Sequence, residues 1–186
     1  MSKIIKGDVN LSRLYLKYIP DIFQNITVTG NFHCYLNRLT SLVGSPQTVH
    51  GHFFCHDNIL TSLSGAPQYV GGDFSCSFNN LRSLIGAPQT VGWGVNCSFN
   101  KLISLEGAPQ NIKMGSFICT GNQLTTLEGA PQSIQGSFDC SSNQLKSLNG
   151  CPKYVSGDFR CDGNHVQFTE QQIRAVCDVK GFVIIY

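Results

Sequence analysis

Charge is scarce in this sequence. Only 13% of its 186 residues are Asp, Glu, Lys or Arg, and the formal net charge is +2. So small an excess makes no electrostatic case for nucleic acid, whose phosphates call for clustered cations. Long apolar runs are missing too. None approaches the roughly 18 residues of a membrane-spanning helix, so no membrane partner is expected. The opening MSKIIKGDVNLSRL has no apolar core followed by small residues, and a signal peptide is not expected. Catalytic signatures are lacking as well: there is no G-x-S-x-G, no Walker loop and no H-E-x-x-H. Acidic residues are few and scattered. The expectation is a protein that is not an enzyme and carries no cofactor.

Cysteine, by contrast, is plentiful, with nine residues, yet no C-x-x-C pair occurs. That removes the usual zinc signature. Seven of the nine stand in phase: Cys34, Cys55, Cys76, Cys97, Cys119, Cys140 and Cys161, at steps of 21 with a single step of 22. Three residues after each comes asparagine, from Asn37 to Asn164, and two further on a leucine, or Val166 in the last copy. A fixed period of about 20 to 29 residues means stacked coils.

The copy VGGDFSCSFNNLRSLIGAPQTV, residues 70–91, shows the unit. In x-F-x-C-x alternate residues share a face, which predicts a short strand with Phe and Cys inward. An inward thiol packs as a small hydrophobe, so the cysteines are expected to be reduced and buried, as suits a reducing cytoplasm. The asparagine follows at a bend, where its amide can satisfy backbone groups the turn leaves free. Two leucines return to the core, and G-A-P-Q closes the coil without room for a helix.

Three regions follow. Residues 1–27 form an atypical first coil, in which Ile5-x-Gly7-x-Val9 echoes V-x-G-x-F and Pro20 starts a short helical turn. Residues 28–169 hold seven repeats of 21–22 residues. The repeat at Ile112 is one residue longer, and the one before it places Trp93 where the others have glycine. Residues 170–186 predict a helix after Thr169 and then a strand, FVIIY, that closes the stack.

F-x-C-x-x-N-x-L resembles the second half of the leucine-rich repeat, L-x-x-L-x-L-x-x-N-x-L, over roughly residues 28–169. The GAP returns and strand cysteine are similar to the short repeats of bacterial and tailed-bacteriophage members. Val28, Val49 and Val70 depart from that family by coming one residue before its first leucine. The resemblance implies a right-handed α/β-type solenoid, here mostly β, with a parallel sheet on its concave face, irregular convex returns and a C-terminal helix–strand cap. It also implies a protein-binding role, for instance in a phage or bacterial accessory protein acting on a host or cellular protein in the cytoplasm.

The outward strand positions are where a partner would be read. In the first four repeats they are aromatic and histidine-rich; in the last three they are small, polar and acidic. The expected partner-binding residues are His33, Tyr35, His52, Phe54, His56, Phe78 and Phe99, with the acidic strip Asp139, Asp158 and Asp162 next. Phe78 and Phe99, directly before the asparagine, are either exposed or folded over the core edge. A metal site from His33, His52 and His56 would need Asp57 or Asp73 as well, because His52 and His56 lie roughly 13 Å apart on an extended strand. A monomer is expected. An assembly component that associates through FVIIY is the alternative.

Overall fold

The computed structural model describes residues 3–186. Each coil contributes two short strands. In the coil of Cys76, the strand Tyr69–Val70 turns its valine inward, a bend follows, and Phe74–Ser75 turns its phenylalanine inward. Stacking sets like strand beside like strand, always parallel. The later strands make one nine-stranded sheet, the second row, from Val9–Asn10 to Val183–Ile184. The earlier strands make a first row split in two: six strands ending at Asn111–Ile112, then three beginning at Ser133–Ile134. The molecule is a parallel β-solenoid of nine coils, mostly β with a single short helix among the described residues.

One sheet was expected, and there are two rows. Val28 and Phe32 are four residues apart, so both face inward whether the chain runs straight or bends between them. Periodicity cannot distinguish the two cases. The register along the second row is strict: Phe32, Phe53, Phe74, Val95, Phe117, Phe138 and Phe159 pair in turn. Phe32 and Phe53 stack with ring centres 5.5 Å apart. Each fully buried side chain of this kind is worth roughly 1.5–3 kcal/mol, so the repeated Phe, Val and two Leu supply the core.

All nine cysteines are free and buried. Burial pushes the ladder thiols up, Cys76 to about 12, and Cys34, Cys55, Cys97, Cys119 and Cys140 likewise. Cys161, nearer the end, rises to about 11.

The asparagine ladder is equally regular. Asn100 Nδ2 donates to the carbonyls of Cys76 at 3.0 Å, Cys97 at 3.1 Å and Ser98 at 3.2 Å, and its Oδ1 accepts the Leu81 N–H at 3.0 Å. One side chain thus fastens its own bend and the coil before it. Asn100→Ala is expected to cost about 3 kcal/mol, since several buried groups lose partners together. Asn100→Asp should be worse, because the carboxylate turns acceptors towards carbonyl acceptors in a buried site. Urea unfolding of both variants checks this; an aspartate as stable as the alanine would sink the ladder's role.

Before each of these asparagines the backbone turns left-handed. Leu36, Asp57, Phe78, Phe99, Gly121, Ser142 and Gly163 all have φ between 51° and 68°. A non-glycine residue there costs on the order of 1–3 kcal/mol. Exposed Ser142 carries that strain without apparent use, so Ser142→Gly is expected to raise stability by about 1 kcal/mol, as read by thermal melting.

The ends follow the same plan. Ile5 pairs with Val28 and Val9 with Phe32, and after Pro20 the 3-10 turn Asp21–Phe23 sets Phe23 edge-on to Phe32. At the other end Thr169 and Gln172 form a reciprocal capping box for the helix Glu170–Val176. Two strands then complete a ninth coil: Asp178–Val179 joins the first row, and Val183–Ile184 joins the second beside Phe159–Arg160. The helix replaces the G-A-P-Q return there. The Arg174 guanidinium holds it in place, donating to the Val179 and Gly181 carbonyls and to Glu170.

Candidate functional site

On the second row, outward side chains stand directly above one another. His33, Phe54, Ser75, Asn96, Ile118 and Asp139 pair in that order. Phe54 and Ile118 are three strands apart, roughly 14 Å at ~4.8 Å per strand. Between them the shorter Ser75 and Asn96 leave a floor. A groove of about 530 Å³ opens there, with Trp93 and Met114 also lining it. That is within the usual size of a binding site, about 300–1,000 Å³.

Trp93 and Met114 come from the bend between the rows. Coils pack so closely at this bend that a Cβ on Gly51 would lie 2.7 Å from the Gly30 carbonyl. Trp93 breaks that glycine column. Its N–H still reaches the Gly72 carbonyl, 21 residues back, but the Met114 N–H reaches Gly92, 22 residues back. The additional residue of the Ile112 coil is thereby taken up, with Gly115 turned to φ 88°. The first row is interrupted immediately after this coil. Trp93, the long repeat, the break in the first row and the groove thus fall in successive coils.

A second ladder runs along the rim. The Asn31 N–H donates to Asp8 Oδ1 at 2.7 Å, His52 N–H to Asn31 Oδ1 at 2.8 Å, Asp73 N–H to His52 Nδ1 at 3.0 Å and Gly94 N–H to Asp73 Oδ1 at 2.8 Å. Ser116, Ser137 and Asp158 continue it. Gly94 alone in this column offers no side-chain acceptor, and it lies in the groove. This column was among the outward positions where a partner would be read. It is half structural: every member but Gly94 accepts a hydrogen bond from the next coil, which Asp, Asn, Ser and a ring nitrogen of His can all do.

The expected site residues fall into two groups. His33 stacks on Phe54 at 5.2 Å, Tyr35 on His56 at 4.7 Å, and His52 on Phe54 at 5.3 Å; His52 also meets Trp93 at 5.2 Å with rings nearly perpendicular. These five form one aromatic sheet face that runs into the groove. Desolvation within the stack lowers the His33 pKa, with His52 and His56 adding to it, and its Nε2 is buried without a partner. His56 Nδ1 lies 2.7 Å from Asp57. Among the described residues, no group of three or more His, Cys, Asp or Glu converges as metal ligands would.

Phe78 and Phe99 are elsewhere. They are half exposed, stack on each other at 4.6 Å, and do not line the groove. The ring of Phe99 lies over Gly121, where a Cβ would come within 2.7 Å of it. Left-handed backbone throws both rings outward over the turn, which answers the alternative left open by the sequence. Trp93, Met114 and Asn96 were not among the expected residues. The signal that could have found them was the single 22-residue step one coil after the misplaced tryptophan. No protein-family model matches the chain, and no curated protein matches it either.

Proposed function

We propose that the protein is a non-enzymatic binding module that receives a protein partner on the outward face of its second row. The observation that carries this is convergence: every departure from the repeat in the middle of the chain opens the same groove. A solenoid needs none of them to fold, and the regular coils do without. Half-exposed Trp93 and Met114 beside Phe54 supply the large apolar contacts typical of binding hot spots. Phe78 and Phe99, held outward at a strained backbone, form a second contact patch on the same reading. We read the coils as leucine-rich-like repeats with the terminal coils as caps, the kind of module expected of a phage or bacterial accessory protein.

The test is capture from lysate of the source cell on immobilised protein, with wild type, Trp93→Ala and the double variant Phe78→Ser, Phe99→Ser compared. A partner held by wild type and lost with Trp93→Ala, at an unchanged melting temperature, is the expected result. Retention by both variants places the binding face elsewhere, with Asp139, Asp158 and Asp162 next in line. A second reading, association through the last strand, is favoured by Phe182 and Tyr186, which are 77% and 93% exposed at the open sheet end. A concentration-dependent mass in solution, lost with Phe182→Ser, would support it.

A further inference from the structure

We infer that the groove takes a cationic side chain, the guanidinium or ammonium group of an arginine or lysine in the partner. This rests on the groove being the partner-binding face and specifies the chemistry it reads. Asp73 is the one carboxylate lining the groove, and no Lys or Arg lines it. The Asp73 side chain is 41% exposed; its Oδ2 lies 3.2 Å from His52 Nδ1, and its Oδ1 is held by the Gly94 N–H. The charge is thus fixed in place rather than free to swing into solvent. Gly94 keeps it approachable: a Cβ there would sit 3.2 Å from Asp73 Oδ1.

The remaining surfaces suit the same guest. Half-exposed Trp93 offers a π face, to which cations are drawn, and a guanidinium adds stacking to that attraction. Met114 and Ile118 offer apolar surface for the methylene stem, in the way long basic side chains bury their stems while the charge reaches a partner. Further carboxylates lie close by. Asp57 lies beside His56, and Asp139 pairs with Ile118 in the sheet. An acidic guest would meet these carboxylates with no Lys or Arg among the lining residues.

Trp93 is the single tryptophan of the chain, so its fluorescence reports this site alone. The experiment titrates the intact protein with four blocked tripeptides, Gly-X-Gly, where X is Arg, Lys, Leu or Glu. Saturable quenching by the Arg or Lys peptide is expected, with the Leu and Glu peptides about tenfold weaker or silent. Asp73→Asn retains an acceptor for Gly94 and removes the charge. It should weaken the cationic peptides about tenfold without moving the melting temperature. If that variant is destabilised, Asp73→Ser replaces it, since Ser116 and Ser137 serve the same column.

A leucine peptide that binds as well as arginine overturns the cationic assignment and leaves the groove as an apolar site. Undiminished arginine binding to Asp73→Asn and Asp73→Ser overturns it too. Silence from all four peptides, while Trp93→Ala still abolishes partner capture, overturns the cation site alone. Silence together with undisturbed capture removes the binding face as well.

Discussion

Raised from about pH 8 to about pH 10 under reducing conditions, the protein is expected to unfold. The ladder thiols are the reason. In the unfolded chain each titrates near 8.5, but burial in the folded coil pushes it up, Cys161 to about 11 and Cys76 to about 12. Below the unfolded value both states keep their protons, and the stability is present in full. Above it only the unfolded chain releases them, so stability falls until the folded values are passed. Each thiol contributes about 1.4 kcal/mol per pH unit. Seven in phase give on the order of 10 kcal/mol per pH unit, comparable with the whole stability of a domain, about 5–15 kcal/mol. Urea unfolding at stepped pH measures the slope, and Cys97→Ala should reduce it by one proton. A urea midpoint constant to about pH 10 would mean that the thiols are not inward. Below pH 8 a thiol reagent should label the native protein slowly and all nine cysteines after denaturation.

The second large effect concerns the groove. Replacing Trp93 by Gly and deleting Met114 together should yield a regular solenoid. The edited segments then read VGGGVN and IKGSF, close to VGGDFS and IQGSF of other coils. The Met114 N–H bond to Gly92 gives way to the ordinary 21-residue step, and the first row can run unbroken from Ile112 to Ile134. Melting temperature is expected to rise, since the join gains ladder hydrogen bonds worth about 0.5–1.5 kcal/mol each. Partner binding is expected to vanish, because the wall made by Trp93 and Met114 goes while Ser75 and Asn96 remain as a bare floor. A regularised chain that binds as wild type would show that the irregular coils are accidents of the repeat. Deleting Met114 with Trp93 left in place should instead destabilise the fold, for the indole would then face an intact coil at the packed bend.

What the sequence made legible was whatever every coil does alike. Asn, Cys and Leu keep phase because each sits against its own kind above and below, so their roles could be read from one copy. The first row was not legible, since Val28 and Phe32 are inward with or without a bend between them. The hydrogen bonds made by Asp8, Asn31, His52 and Asp73 were hidden by chemistry: three residue types accept the equivalent backbone N–H, and variation in type masked constancy in role. The groove was hidden by topology. Trp93 and Met114 are 21 residues apart in sequence and meet only once the coils are stacked. Five of the expected site residues share one aromatic face, while Phe78 and Phe99, next to the asparagine in sequence, are swung away by a left-handed turn that composition alone does not reveal.

The break in the first row has a mechanical meaning. Adjacent coils elsewhere are joined by two ladders, one in each row; across the Ile112 to Ile134 join only the second row is continuous. The asparagine and rim hydrogen bonds cross that join as well, but it alone lacks strand pairing in the first row, so under a pull on its ends the molecule is expected to yield there first. The two segments on either side carry the six-stranded and the three-stranded parts of the first row. The groove lies on the longer segment, so a partner bound as proposed would be expected to stay held if the shorter piece pulled free.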